Sequence, residues 1–198
     1  MAYRESVTPS TPTLSPTGRG STALPVARIS PNRKLHYIIL MTVPSTVRLQ
    51  REPFDVAAEA AKLHGRGDVG AVVTFTGVCR GSEEGEPIAA LTLEHYPGMA
   101  EVEIERHVEE AKQRWPLLGV TVIHRYGRIA PGEDIVMVVT ASAHRQAAFA
   151  AAEFLMDFLK TRAPFWKQVE KSGGKSWVDA KTADDTAAER WKTPRAAE

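Results

Sequence analysis

The chain has 198 residues, 43% hydrophobic and 25% charged, enough for one domain with a core plus an appendage. A formal net charge of +1 excludes the dominant basic surface that generic nucleic-acid binding requires, and no apolar run approaches the roughly 18 residues of a membrane-spanning helix. Cys79 is the only cysteine, so an intrachain disulfide and a cysteine-based zinc site are both excluded, and a reducing cytoplasm is the expected compartment.

Residues 1–40 carry five basic groups (Arg4, Arg19, Arg28, Arg33, Lys34) against the single acid Glu5, leaving 20 basic and 23 acidic residues in the remainder. Pro9, Pro12, Pro16, Pro25 and Pro31 interrupt a Ser/Thr-rich stretch without periodicity, which cannot bury enough apolar surface to offset its ordering entropy. Organelle transit peptides share this acid-poor composition, but we read residues 1–43 as a disordered N-terminal extension, with Met41 an alternative start, and 44–198 as the folded domain.

Thr46–Arg51 alternates as a short strand, and Asp55 is placed to cap a helix running to about His64, ended by Gly65 and Gly67. The β-branched run Gly70–Cys79 predicts a buried strand, followed by a polar loop over Gly81–Pro87 and a strand over Ile88–His95. Pro97-Gly98 turns the chain into a helix over Met99–Trp115, stopped by Pro116. Strands are expected at Gly119–Tyr126 and Glu133–Ala141, joined around Pro131-Gly132. Ser142 then caps a long helix from His144 to Arg162. Phe165–Lys171 and Lys175–Asp179 read as a hairpin around Gly173-Gly174, with a last short helix over Ala183–Trp191. This order gives an α+β, mixed α/β, fold with an antiparallel component.

The chemistry-bearing candidates are cationic. Arg80 ends the first long strand, His144-Arg145 open the long helix, and Lys160 and Lys167 flank its far end. Arg145 at a helix N-terminus opposes the helix dipole, which a bound anion would compensate; an exposed arginine tolerated at small cost is the equal alternative. Phe149, Glu153, Met156 and Lys160 share one helix face, so Met156, Phe165 and Trp166 could desolvate Lys160 and lower its pKa toward values useful for proton transfer. Ordinary core packing is the commoner role for Met156. Cys79 beside Arg80 could be an activated thiolate, although a strand-end cysteine is more often a small core residue. His95 and His124 are expected to be hydrogen-bonded structural residues.

The strings EHYPGM (Glu94–Met99), RWPL (Arg114–Leu117), VTVIHRYG (Val120–Gly127), SAHR (Ser142–Arg145) and KTRAPFWK (Lys160–Lys167) occur in this order. From about residue 47 to Trp191 the sequence resembles the molybdopterin synthase catalytic (large) subunit, the MoaE family. The resemblance implies an α/β hammerhead-type domain with a small antiparallel β subdomain, and a homodimer within a heterotetramer. Each end of that dimer would bind a small ubiquitin-like sulfur-carrier subunit with a C-terminal Gly-Gly thiocarboxylate. It implies sulfur transfer onto cyclic pyranopterin monophosphate to form the molybdopterin dithiolene, with no cofactor, metal or catalytic cysteine, because the partner supplies the sulfur.

Carried over by position, Lys160 takes general acid/base work and oxyanion stabilisation, and Lys167 is a second active-site lysine. Arg80, His144 and Arg145 take the phosphate and pterin contacts. Phe75 and Met156 line the pocket, and Val78, Cys79, Gln168 and Val169 complete the substrate walls. Lys181 stands where relatives can carry an arginine reaching across the dimer, and a lysine there keeps the charge but loses the fork. Two other readings compete: a non-catalytic scaffold subunit that keeps the fold and carrier interface, and a thiol enzyme using Cys79.

Overall fold

The computed structural model describes residues 43–178 and 189–191. The extension expected over 1–43 lies outside them except for Val43, as do Lys181 and most of the helix expected over Ala183–Trp191. The elements are β1 (Ser45–Gln50), α1 (Val56–Ala61), β2 (Ala71–Val78), β3 (Ser82–Glu83), β4 (Glu86–Pro87) and β5 (Ala90–His95). There follow α2 (Met99–Arg114), β6 (Leu117–Arg125), β7 (Gly127–Ile129), β8 (Asp134–Ser142), α3 (Arg145–Thr161), β9 (Phe165–Lys171) and β10 (Gly174–Val178). The fold is α+β.

Four strands form one sheet in the order β1-β6-β8-β2, with β1 parallel to β6 and the other pairs antiparallel. Alternation along the central strands supplies both faces. Val120, Val122, Val136 and Val138 meet Ile104 and Val108 of α2 and Ala151, Phe154, Leu155 and Phe158 of α3. Ile123, Met137, Val139 and Ala141 face the opposite way, onto Leu63 and the partly buried Phe54, Val56 and Ala60 around α1. Ile104, Ile123 and Met137 are fully buried, each contributing about 1.5–3 kcal/mol.

Capping follows local chemistry. Asp55 accepts a hydrogen bond from the Ala58 amide at 2.9 Å and starts α1. Gly98, at φ +84°, occupies the left-handed region that only glycine adopts without strain, and its N–H donates to Glu101 Oε2 at 2.8 Å. Trp115, extended before Pro116, ends α2.

The second sheet, β10-β9-β5-β7, is antiparallel throughout and closes over Cys79, Leu91, Leu93, Ile129 and Val169. It is the small antiparallel component expected from sequence.

Three local expectations are corrected. β2 is the edge strand of its sheet, so its run of β-branched residues is half-buried, with Phe75 and Val78 exposed. Gly81–Pro87 is a hairpin: Glu84 and Gly85 both have positive φ, the signature of a type I′ turn, and they pair β3 with β4. The N-cap of α3 is His144; Ser142 completes β8, and its Oγ accepts from the His144 amide at 3.4 Å while donating to the Pro116 carbonyl.

Candidate active site

β2 pairs with β8 from Ala71↔Ser142 to Val78↔Asp134, and α3 then runs back along these strands. One end of the molecule therefore gathers the end of β2, the end of α3 and the start of β9, with Arg80, Lys160 and Lys167. His144 and Arg145 sit at the other end of α3. The 15 steps between Arg145 and Lys160 correspond to about 22 Å along the helix axis. Within one chain these two groups of cations do not share a site.

Arg80 and Lys167 do meet, through a residue that sequence reasoning missed. Glu83 is buried, 5% exposed, and its carboxylate divides between them: Oε2 accepts from Arg80 Nη2 at 2.8 Å and Oε1 from Lys167 Nζ at 3.1 Å. A single acid in the polar string Ser82-Glu83-Glu84-Gly85-Glu86 carries no sequence signal that it faces inward. Only the tight turn at Glu84-Gly85 sets it apart from Glu84 and Glu86, which are exposed.

Main-chain bonds fix the strand end beside this cluster. The Cys79 amide donates to the Glu133 carbonyl and the Gly132 amide donates to the Cys79 carbonyl, each at 2.8 Å. The Cys79 side chain is buried in the core of the second sheet, and burial pushes its thiol up despite nearby Lys167 and Arg80. An activated thiolate is thus contradicted, and Cys79 is a small core residue. Val169 is likewise fully buried, so neither side chain is exposed to form a substrate wall. Gln168 alternates to the face of β9 opposite Lys167 and Val169.

Lys160 is exposed, so the desolvation expected from Met156, Phe165 and Trp166 is absent in the single chain. Met156 is partly buried and packs against the main core, while Phe149 and Trp166 are exposed. At the other end of α3, Arg145 is exposed, the first turn contains no acid, and the N-cap side chain of His144 makes no capping bond. The amides there are available to an anion.

The strand carrying Lys167 is braced by rings. Phe165 stacks on His124 at a centroid distance of 4.1 Å and lies 6.0 Å from His95, which packs on Tyr126. His124 is buried beneath this stack. Burial pushes its imidazole down to about 4, opposed by the bond between Nδ1 and the Arg125 carbonyl at 2.8 Å. His124 is thus the hydrogen-bonded structural residue its strand position indicated, and His95 packs among the rings.

A cleft of about 550 Å³ opens between Arg51, Thr92, His95, Glu101, Tyr126 and Arg128, and a smaller one of about 140 Å³ beside His107, Phe158 and Trp191. None of the candidate cations among the described residues lines either. Among the described residues no group of three or more His, Cys, Asp or Glu side chains could hold a metal, and no helix is long and apolar enough to cross a membrane.

The family model described as MoaE protein matches residues 49–162. The molybdopterin synthase catalytic subunit of Mesorhizobium japonicum is 63% identical over 151 residues, covering 75% of this chain and 94% of that protein. The subunit of the same name from Escherichia coli K12 is 53% identical over 140 residues, 71% and 93% of the two chains. Among solved structures, the molybdopterin biosynthesis MoaE protein from Burkholderia ambifaria superposes with a TM-score of 0.64 at 46% identity, covering 75% of this chain and 99% of its own. Molybdopterin synthase from Staphylococcus aureus gives 0.62 at 27% identity, covering 66% and 95%. A matched model spanning both helices of the main core, with near-complete coverage of these relatives, shows that the chain belongs to the MoaE family.

Proposed function

We propose that this chain is the catalytic subunit of a molybdopterin synthase. It takes sulfur from the thiocarboxylated C-terminal Gly-Gly of a small ubiquitin-like carrier and passes it, in two rounds, to cyclic pyranopterin monophosphate, giving the dithiolene. The observation that carries this reading is the convergence of Arg80 and Lys167 on Glu83 at the end of the molecule where α3 delivers Lys160. Cations from three elements suit a reaction whose two substrates are both anionic, since positioned donors stabilise negative charge as it develops.

In this reading Lys160 handles the proton and the developing oxyanion, and Lys167 engages the thiocarboxylate or the precursor. Arg80 presents its planar fork to the phosphate. Phe75, Val78 and Met156 form the apolar wall; Cys79, Gln168 and Val169 contribute the main chain behind it. His144 and Arg145, about 22 Å away along α3, act on the site of a second protomer. A homodimer carrying one carrier on each protomer would complete two such sites, with Lys181 the further residue to reach across. The exposure of Arg80 and Lys160 is consistent with a surface that partners cover.

The test combines purified full-length chain, thiocarboxylated carrier and pterin precursor, and measures dithiolene product. Lys160→Ala is expected to remove nearly all turnover while leaving the fold and carrier binding intact. Near-normal activity in that variant would remove the catalytic assignment. Mixing Lys160→Ala with Arg145→Ala protomers should restore activity that neither has alone, because one site in each mixed dimer keeps both residues. Failure to restore it would place Arg145 outside the shared site.

A further inference from the structure

We propose that Glu83 is a positioning residue of the active site, holding Arg80 and Lys167 at a fixed separation and orientation; the inference rests on the functional reading above. Three features of the cluster carry it. The first is the direction of anchoring. The acid is the buried member, with its side chain 6% exposed, whereas the Lys167 and Arg80 side chains are 31% and 67% exposed. The buried acid therefore sets the geometry, and the two longer, more exposed cations adjust to it.

The second feature is the division of the carboxylate. One oxygen takes the Lys167 ammonium and the other takes Nη2 of Arg80, so each cation is drawn to its own point. Without the acid, an ammonium from β9 and a guanidinium from the end of β2 would repel each other and swing apart into solvent. The bond to Glu83 occupies one edge of a guanidinium that carries five N–H donors in a plane, so the fork is oriented but not exhausted.

The third feature is charge. Among the described residues the cluster sets two cations against one acid, a surplus positive charge to attract an anion, with their donors already aimed before substrate arrives. Preorganisation of this kind lowers the cost of arranging donors during the reaction. Glu84 and Glu86 belong to the same hairpin but are exposed, and nothing assigns them such a part.

The experiment is a mutant cycle on the full-length chain with thiocarboxylated carrier and precursor. Glu83→Gln keeps the shape but gives one cation an amide N–H instead of an oxygen. It is expected to lower kcat/KM for the precursor about 10- to 100-fold, with carrier affinity unchanged. Glu83→Asp keeps the charge but is one methylene short of spanning both partners, and should recover part of the loss. In single-turnover measurements Glu83→Gln should cost less on a Lys167→Ala or Arg80→Ala background than in wild type, and no more than about twofold where both are alanine, because its effect runs through those two residues.

A full loss that multiplies through in both backgrounds would make Glu83 a structural residue only and overturn the proposal. So would wild-type kcat/KM in Glu83→Gln. If Glu83→Gln does not fold, the same cycle run with Glu83→Asp decides the matter. The failure of the underlying reading is separable: wild-type chain that makes no dithiolene removes the function itself. Active wild type with impaired Lys167→Ala and unimpaired Glu83→Gln removes only the role of Glu83.

Discussion

Stability should fall on mild acidification because of His124, and the size of the fall can be worked out. The imidazole is held near 4 when folded, against an ordinary value of 6.5. The unfolded chain therefore takes up a proton that the folded chain refuses, and stability is complete above about 6.5 and lost as pH drops toward 4. With these two values the linkage relation gives a loss of about 2 kcal/mol between pH 7 and pH 5, approaching about 3 kcal/mol at the acid limit. The assay is urea unfolding of wild type and His124→Phe at both pH values. Phenylalanine keeps a ring against Phe165 but cannot titrate, and it leaves the Arg125 carbonyl without its 2.8 Å partner, which costs about 1 kcal/mol at neutral pH. The variant should start less stable and fall less steeply. His107, which burial also pushes down, supplies a residual slope of the same sign. An undiminished fall in His124→Phe would refute the argument.

Other perturbations test other parts of the structure. A Cβ on Gly70 would lie 2.3 Å from the Ala143 carbonyl oxygen, whereas one on Gly119 would meet the movable Leu63 side chain at 2.6 Å. Thermal unfolding should show Gly70→Ala as the costlier change, with Gly119→Ala within about 1–3 kcal/mol of wild type. Cys79→Ser should leave sulfur transfer nearly intact, and the native thiol should react slowly with iodoacetamide because burial raises it. Phe165→Ala should cost about 2–3 kcal/mol, since the ring is only partly buried. Its effect on kcat should exceed that of an equally destabilising change in the α1 core, because Lys167 is two residues along the same strand.

Much of this architecture was legible in the sequence because it follows from local rules. Asp55, Gly98 and Pro116 punctuate α1 and α2 where their chemistry requires, and the strands expected over Gly119–Tyr126 and Glu133–Ala141 are β6 and β8. The status of β2 was not legible. A β-branched run describes an edge strand as well as a central one, and only sheet order separates them. Arg80, Lys160 and Lys167 stood out by their places at element ends, and Lys160 also by helical spacing, while resemblance to a family supplied their roles. Glu83 was invisible because its burial depends on a two-residue turn and on contacts from β2 and β9. Resemblance also assigned His144 and Arg145 to the same substrate as Arg80, although they open the helix whose far end carries Lys160. The length of α3 separates them within one chain, as the helix expected over His144–Arg162 already implied.

The parallel pairing of β1 with β6, from Ser45↔Val120 to Gln50↔Arg125, has a consequence for how the chain acquires its shape. On a ribosome β1 emerges first, yet it has no docking edge until α2 and β6 have been made. Closing so long a loop is slow. The nucleus should instead form from the β6–β8 pair and α3, which are closer in sequence, with β1 added last. Translation past β8 is then the point at which the nascent chain can commit to its native topology, and the exposed edge of β6 is the stretch a chaperone would have most reason to guard.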